Sequence, residues 1–352
     1  MSVLPPTSKV ILSKGTHELV VNDRPTPQPT GSQILVRIEA TGVCATDLHL
    51  IRRSVPYLQP KVDICGHEGV GRIVQLGPDV EGWKIGERVA HRWIYRWCGQ
   101  CESCQDGNEQ FCDRRELSGK DVDGCWAEYT LVDSKYLLRM PEDLDPVLAA
   151  PVLCGGTTVY RALRTADLSP GQWVAIVGAG GGLGHFGVQY AKAKGLRVLA
   201  IDGGKEKENL CRSLGADAVV DYLETKEATI KDITEEINKI TNGGAHGVLV
   251  TSSSARAYEQ AITYVRKRGV IVCIGITPQK MTFPVGPEYF VAKAVRLTGT
   301  STGTVQDTKE ALEYVRRGQV KPITIEKKLE DIPACIDSLE KGDAVGRYVV
   351  RL

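Results

Sequence analysis

Cys98, Cys101, Cys104 and Cys112 fall in the spacing Cys-x2-Cys-x2-Cys-x7-Cys. Four thiolates so close together can wrap one tetrahedral metal and leave no coordination position open, which is what a structural zinc requires. An iron–sulfur cluster also takes four cysteines, but this spacing matches neither common ferredoxin pattern. A disulfide framework fits poorly, because the eleven cysteines are odd in number and residues 1–14 lack a basic segment followed by a long apolar core. The cluster therefore predicts a lobe organised by metal, doing no chemistry itself, in a cytoplasmic protein. Cys65, Cys125, Cys211, Cys273 and Cys335 have no comparable spacing and read as small buried apolar residues.

A chain of 352 residues is long enough for two domains. Its 44 Lys plus Arg against 43 Asp plus Glu give no strong field for nucleic acid or an anionic membrane, and no run reaches the ~18 apolar residues of a bilayer span. A small-molecule partner is the expectation. The first half is dense in short β-rich runs, at Ile34 to Ala40, Gly69 to Gln75, Arg88 to Ala90 and Ala127 to Val132, punctuated by Gly, Pro and Asp. That texture predicts an irregular, mostly antiparallel domain. From about Thr157 strand-like runs alternate with helix-length segments: Trp173 to Val177, Arg197 to Ile201, Ala218 to Asp221, Gly247 to Thr251 and Val270 to Gly275, with Val295 to Thr300 as a sixth. Such alternation is the mark of a parallel sheet with helical crossovers. The apolar run Tyr348 to Val350 is expected to return to the first domain.

Gly178-Ala179-Gly180-Gly181-Gly182-Leu183-Gly184 lies between a strand and a helix, and Asp202 ends the next strand. Glycines there let backbone N–H groups approach a pyrophosphate at a helix N-terminus. A glycine run alone is a flexible turn; in the order strand, loop, helix, strand and acid it is a dinucleotide fingerprint. Asp202 would accept hydrogen bonds from an adenosine ribose and repel a 2′-phosphate, favouring NAD over NADP.

A second metal set is suggested by Cys44, His67 and Cys154. A Cys2His site with water in the fourth position is the open arrangement of a catalytic zinc. By spacing alone the bland reading comes first: a lone His beside Gly is more often a satisfied structural histidine than a ligand, and a lone Cys is usually core.

The stretch Gly66-His67-Glu68-x2-Gly71-x5-Gly77-x2-Val80 resembles the zinc signature of the medium-chain alcohol dehydrogenases. So do the four-cysteine lobe, Cys44-x-Thr46-Asp47, Ala150-Pro151-x2-Cys154 and the glycine-rich turn. The likeness runs over nearly the whole chain and is closest to the fungal, yeast-type branch. It implies an α/β fold: a GroES-like, mostly β catalytic domain at 1–156 and 292–352, and a Rossmann NAD-binding domain at 157–291. It further implies two zinc ions per chain, with Cys44, His67 and Cys154 holding the catalytic one and Glu68 nearby as an alternate ligand. Asp47 would orient His67, and Thr46 would hydrogen-bond the substrate oxygen. Gly178, Gly180, Gly181, Gly182, Leu183, Gly184, Asp202, Lys207 and Thr158 would hold NAD, and Val55 and Trp93 would line the substrate pocket. A homotetramer is expected by the same resemblance.

The chain departs from that branch at three places. A proton-relay histidine is expected eight residues after Cys44, where Arg52 stands, and His49 is read as structural. Ala45 replaces a basic residue near the cofactor pyrophosphate, and Val55 replaces a bulky Trp. The sequence thus predicts NAD-linked oxidation of a primary alcohol, or reduction of its aldehyde, with a substrate larger than ethanol and Arg52 free for a cofactor phosphate or an anionic group. Two other readings are an aldehyde reductase of a specialised biosynthetic pathway and a non-catalytic zinc and dinucleotide sensor.

Overall fold

The computed structural model describes residues 4–15, 17–223 and 229–352. Two compact units emerge: one takes the residues up to Cys154 with Thr304–Leu312 and Pro322–Leu352, the other Gly155–Gly303 with Glu313–Lys321.

The first unit is built on a seven-stranded sheet. Its central strand Gln33–Gly42 pairs antiparallel with Gly69–Leu76, Tyr129–Asp133 and the C-terminal strand Arg347–Arg351. The alternating pattern of Ile34, Val36 and Ile38 puts these side chains, with Ile73, Val89 and Val132, into one buried cluster. Gly71 to Ile73 and Arg88 to Ala90 continue the pleat, so the apolar runs seen in the sequence are the sheet's core face. The expected return of the C-terminus occurs: Val350 lies opposite Thr41, one residue from Gly42 and close in sequence to Cys44.

The second unit is a six-stranded parallel sheet in the order Ala218–Asp221, Arg197–Asp202, Trp173–Val177, Ala245–Val250, Val265–Cys273, Arg296–Gly299. Its inner strands are buried on both faces, which is why they read as unbroken apolar runs. This is the doubly wound order of a dinucleotide-binding fold. The unit runs on to Gly303, past the expected return at 292, because Arg296–Gly299 adds a parallel edge to Val265–Cys273. Among the described residues no helix is long and apolar enough to cross a membrane, and none of the eleven cysteines is joined in a disulfide.

Candidate functional site

Two clusters of metal-ligating side chains exist among the described residues, and they are the two sets singled out in the sequence. In each, one donor atom per residue lies within 4.8 Å of the others.

Cys98, Cys101, Cys104 and Cys112 form the first. A zinc–sulfur bond of about 2.3 Å sets tetrahedral sulfurs roughly 3.8 Å apart. Cys98 and Cys104 Sγ are 3.9 Å apart, and Cys101 and Cys104 Sγ 3.5 Å. Backbone N–H groups are already aimed at sulfur: Gln100 and Cys101 donate to Cys98 Sγ, each at 3.4 Å, and Cys98 donates to Cys112 Sγ at 3.4 Å. Those bonds to Cys98 draw its thiol down to about 5, into the thiolate form that a metal needs. The four sulfurs leave no place for a substrate.

Cys44, His67, Glu68 and Cys154 form the second, and Asp47 builds it. Cys44 is the N-cap of the helix Ala45–Arg52, so Asp47 falls at the third helical position and its Oδ2 accepts from Cys44 N–H at 3.1 Å. Its Oδ1 accepts from Gly66 N–H and pairs with His67 Nδ1, both at 3.0 Å. One buried carboxylate therefore fixes two ligands. Gly66 has φ +93°, and a Cβ there would come within 2.4 Å of Trp126 Cδ1, so only glycine turns the chain into His67 at this place. With Nδ1 committed, Nε2 is the nitrogen left for a metal, and it is fully buried without a hydrogen-bond partner. A buried, unpaired imidazole nitrogen beside two thiols is the donor set of a zinc with an open position.

The electrostatics agree. The Cys154 thiol hydrogen-bonds Cys44 and draws it well below the usual thiol range, while Cys154 itself is pushed well above it. Burial works against a charged His67, yet the charge and hydrogen bond of Asp47 raise its pKa well above the ordinary value. Loading a metal therefore displaces protons from this cluster. Burial lifts Glu68 to about 7, against the pull of Arg347. Arg347 and Glu68 form a hydrogen-bonded ion pair, with side chains 4% and 0% exposed. That pair neutralises Glu68, leaving two thiolates to match a divalent ion. Arg347 escaped the sequence reading; its one signal was a charge flanking the apolar run at Tyr348.

Thr46 is half-buried in the first turn of the ligand helix. Trp93 packs edge-on to His67, ring centroids 4.8 Å apart. Val55 is buried in the turn after the helix, its carbonyl accepting from Leu58 N–H and Gln59 Nε2. The expectation for Arg52 is corrected. Its Nε and Nη2 lie 3.0 and 2.8 Å from Glu340, and Nη2 lies 3.6 Å from Asp337, so its charge is already matched. It also stands six residues beyond Thr46, about 9 Å along a helix, too far for a direct relay. His49, three residues from Thr46, shares its helix face. His49 Nδ1 lies 2.8 Å from Ser54 Oγ, and burial keeps its pKa below the ordinary value, so the ring stays available as a base.

In the second unit the glycine turn connects Trp173–Val177 to the helix Gly184–Ala193. A Cβ on Gly184 would sit 2.0 Å from Gly178 O, so the tight turn demands glycine. Leu183, the N-cap, supplies no side-chain hydrogen bond; the first turn is closed by backbone alone, His185 N–H donating to Gly181 O and Phe186 N–H to Leu183 O, each at 3.1 Å. Asp202 is 5% exposed; Oδ2 accepts from Gly180 N–H at 2.7 Å, Oδ1 from Gly203 N–H at 2.8 Å, and Lys207 Nζ lies 3.6 Å away. Gly180, Gly181, Gly182, Asp202 and Lys207 thus gather at the sheet's carboxyl end. Thr158 is buried on the helix Gly155–Ala166 of the same unit.

Residues 30–142 match the family described as alcohol dehydrogenase GroES-like domain, and residues 182–317 the family described as zinc-binding dehydrogenase. An alcohol dehydrogenase of Geobacillus stearothermophilus is 39% identical, covering 97% of this chain and 98% of that protein. Alcohol dehydrogenase 2 of Caenorhabditis elegans is also 39% identical, over 97% and 96%. The solved acetophenone reductase of Geotrichum candidum NBRC 4597, in complex with NAD, is 27% identical over 100% and 99%, with a TM-score of 0.85. Identity of this extent over the whole length, on chains with the same two folds, places the protein in the zinc-dependent alcohol dehydrogenases of the medium-chain family.

Proposed function

We propose that the chain oxidises primary alcohols bulkier than ethanol with NAD, and reduces the corresponding aldehydes. The observation that carries this is the buried set of Cys44, His67 and Cys154 with His67 Nε2 unpaired, since a sensor has no use for an open metal position. When bound, zinc supplies Lewis-acid stabilisation of the developing oxygen charge and NAD accepts the hydride. Cys44, His67 and Cys154 hold the metal, and Asp47 keeps His67 Nδ1 protonated so that Nε2 ligates. The Thr46 hydroxyl binds the substrate oxygen and passes its proton to His49 on the same helix face. Trp93 walls the site against His67.

Asp202 accepts from the adenosine ribose hydroxyls in exchange for its bonds to the glycine turn, and its charge excludes a 2′-phosphate. The NAD complex of the Geotrichum candidum relative supports this choice of cofactor. Gly178, Gly180, Gly181, Gly182, Leu183 and Gly184 line the pyrophosphate, with Lys207 and Thr158 as further contacts. A yeast-type ancestry, a cytoplasmic location suited to free thiols, and a homo-oligomer belong to the same proposal. Among the described residues the edge strand Arg296–Gly299 is paired on one side only and is largely exposed, as pairing with a second copy requires.

Following NADH absorbance with ethanol, hexanol and benzyl alcohol tests the reading. The wild type is expected to show a higher kcat/KM on the larger alcohols, and Val55→Trp to move the preference toward ethanol. No turnover on any alcohol or aldehyde sinks the assignment of activity, and a wild type fastest on ethanol sinks the assignment of substrate size.

A further inference from the structure

The helix that presents Thr46 and His49 is too short to hold itself. Ala45–Arg52 has eight residues, well under the ~12–15 at which an isolated helix becomes even marginal in water. Its first turn is fixed by Asp47. Its last turn ends on Arg53, a non-glycine residue in the left-handed region at φ 49°, a conformation that needs support from its surroundings. Leu50 and Ile51 anchor one face in the core. On another, Arg52 meets the C-terminal helix Ile332–Lys341 through a two-pronged ion pair to Glu340 and a longer contact to Asp337.

Exposed ion pairs usually contribute little. This one differs in two respects: the Arg52 side chain is only 14% exposed, and its planar guanidinium engages both oxygens of Glu340. Its partner helix is itself pinned. Ile332, Cys335 and Ile336 are buried, Ser338 Oγ lies 2.9 Å from Tyr348 Oη, and the strand that follows carries Arg347 to Glu68. The C-terminal segment thus braces the metal site twice, at a ligand neighbour through Arg347 and at the far end of the ligand helix through Glu340.

We propose that Arg52, Glu340 and Asp337 form a positioning clamp that sets the last turn of the ligand helix, and with it His49, relative to Thr46 and the reacting oxygen. This rests on the roles given to Thr46 and His49 above. Because Asp47 holds Cys44 and His67, and with them the first turn that carries Thr46, independently of Arg52, releasing the clamp displaces His49 more than Thr46 or the metal. The loss falls on kcat, for which misplacement of about 1 Å is already costly.

The test is a double-mutant cycle of Arg52→Gln, Glu340→Gln and the pair, with Arg52→Lys as the conservative variant, all in the zinc-loaded enzyme. Each single change is expected to lower kcat about five- to tenfold, leaving zinc at two per chain and the KM for NAD within about twofold. The double variant is expected to be no worse than either single, and Arg52→Lys to recover part of the loss. Hydrogen exchange reads the clamp without activity: backbone amides 48–53 should exchange faster in both single variants. Unchanged exchange and kcat in either single variant overturns the clamp. So does a fall in kcat matched by zinc loss. A rise in the KM for NAD in Arg52→Gln alone, with Glu340→Gln as wild type, overturns it in favour of Arg52 as a cofactor ligand. Absent turnover in the wild type would refute the activity, while the exchange arm would still decide the clamp.

Discussion

Asp47→Asn separates the account of the metal site from a general loss of stability. The carboxylate accepts three hydrogen bonds in a fully buried place: from Cys44 N–H at 3.1 Å, Gly66 N–H at 3.0 Å and His67 Nδ1 at 3.0 Å. Asparagine keeps one oxygen, enough for Gly66 and His67, but turns an N–H2 group toward the Cys44 N–H. A buried donor left unpaired costs about 1–3 kcal/mol, and the bond to His67 loses a further ~1 kcal/mol when its acceptor is no longer charged. The stranded Cys44 donor weakens the fold with or without metal, whereas the looser hold on His67 and Cys44 reaches the ion, and groups that orient metal ligands are worth ~10–100-fold in metal affinity. Zinc release to a chromophoric chelator gives the measurement, with kcat/KM alongside. The faster-released zinc should leave ~10–100 times sooner in Asp47→Asn, while the slower one, from the four-cysteine lobe, keeps its wild-type rate. An Asp47→Asn protein that releases both ions at wild-type rates with undiminished kcat/KM refutes the reasoning. Asp47→Ala strands three donors and should be worse.

Asp202→Ala removes the carboxylate–ribose hydrogen bonds and should weaken NAD by roughly 1.5–3 kcal/mol while relaxing discrimination against NADP; kcat/KM for both cofactors decides, and a wild type preferring NADP contradicts it. Cys101→Ser should lower the thermal midpoint and zinc content together, since a structural zinc supplies folding free energy, whereas Cys154→Ser should abolish turnover with the zinc of the four-cysteine lobe retained; equal damage to folding by both changes would remove the distinction. His91 is buried with both ring nitrogens unpaired, and burial, with a smaller push from His67, lowers it from 6.5 to about 3. The unfolded chain binds this proton below pH ~6.5 and the folded one does not, so stability is lost as pH falls from about 6.5 toward 3, by at most on the order of 4–5 kcal/mol. Urea midpoints between pH 7 and 4.5 should therefore fall less steeply in His91→Phe, and parallel slopes would show that His91 contributes nothing.

Local signals were legible because they act over a few residues. The cysteine lobe, the strand–glycine turn–helix and Asp202 at a strand end each carry their chemistry in a short window, and the apolar runs of the parallel sheet read directly as strands. Sequence separation hid the rest. Arg347 and Glu68 are 279 positions apart, and Arg52 and Glu340 are 288 apart, so no spacing shows that these charges meet. Missing that second pair made Arg52 look free for an anion, and drew attention from His49, whose claim rests on a helical interval of three residues from Thr46. The sixth strand Arg296–Gly299 was legible as a strand, but its pairing with Val265–Cys273, which carries the second unit past 292, is a property of the assembled sheet.

Turnover measured against metal content tests the central claim most directly. A chain purified gently and then dialysed in steps against a chelator is expected to start with two zinc ions. It should lose one of them together with all NADH formation from alcohol, and recover both on adding zinc back while staying folded throughout. Alcohol oxidation with NAD that continues undiminished after the first zinc has left would contradict the assignment of Cys44, His67 and Cys154 as the working metal site.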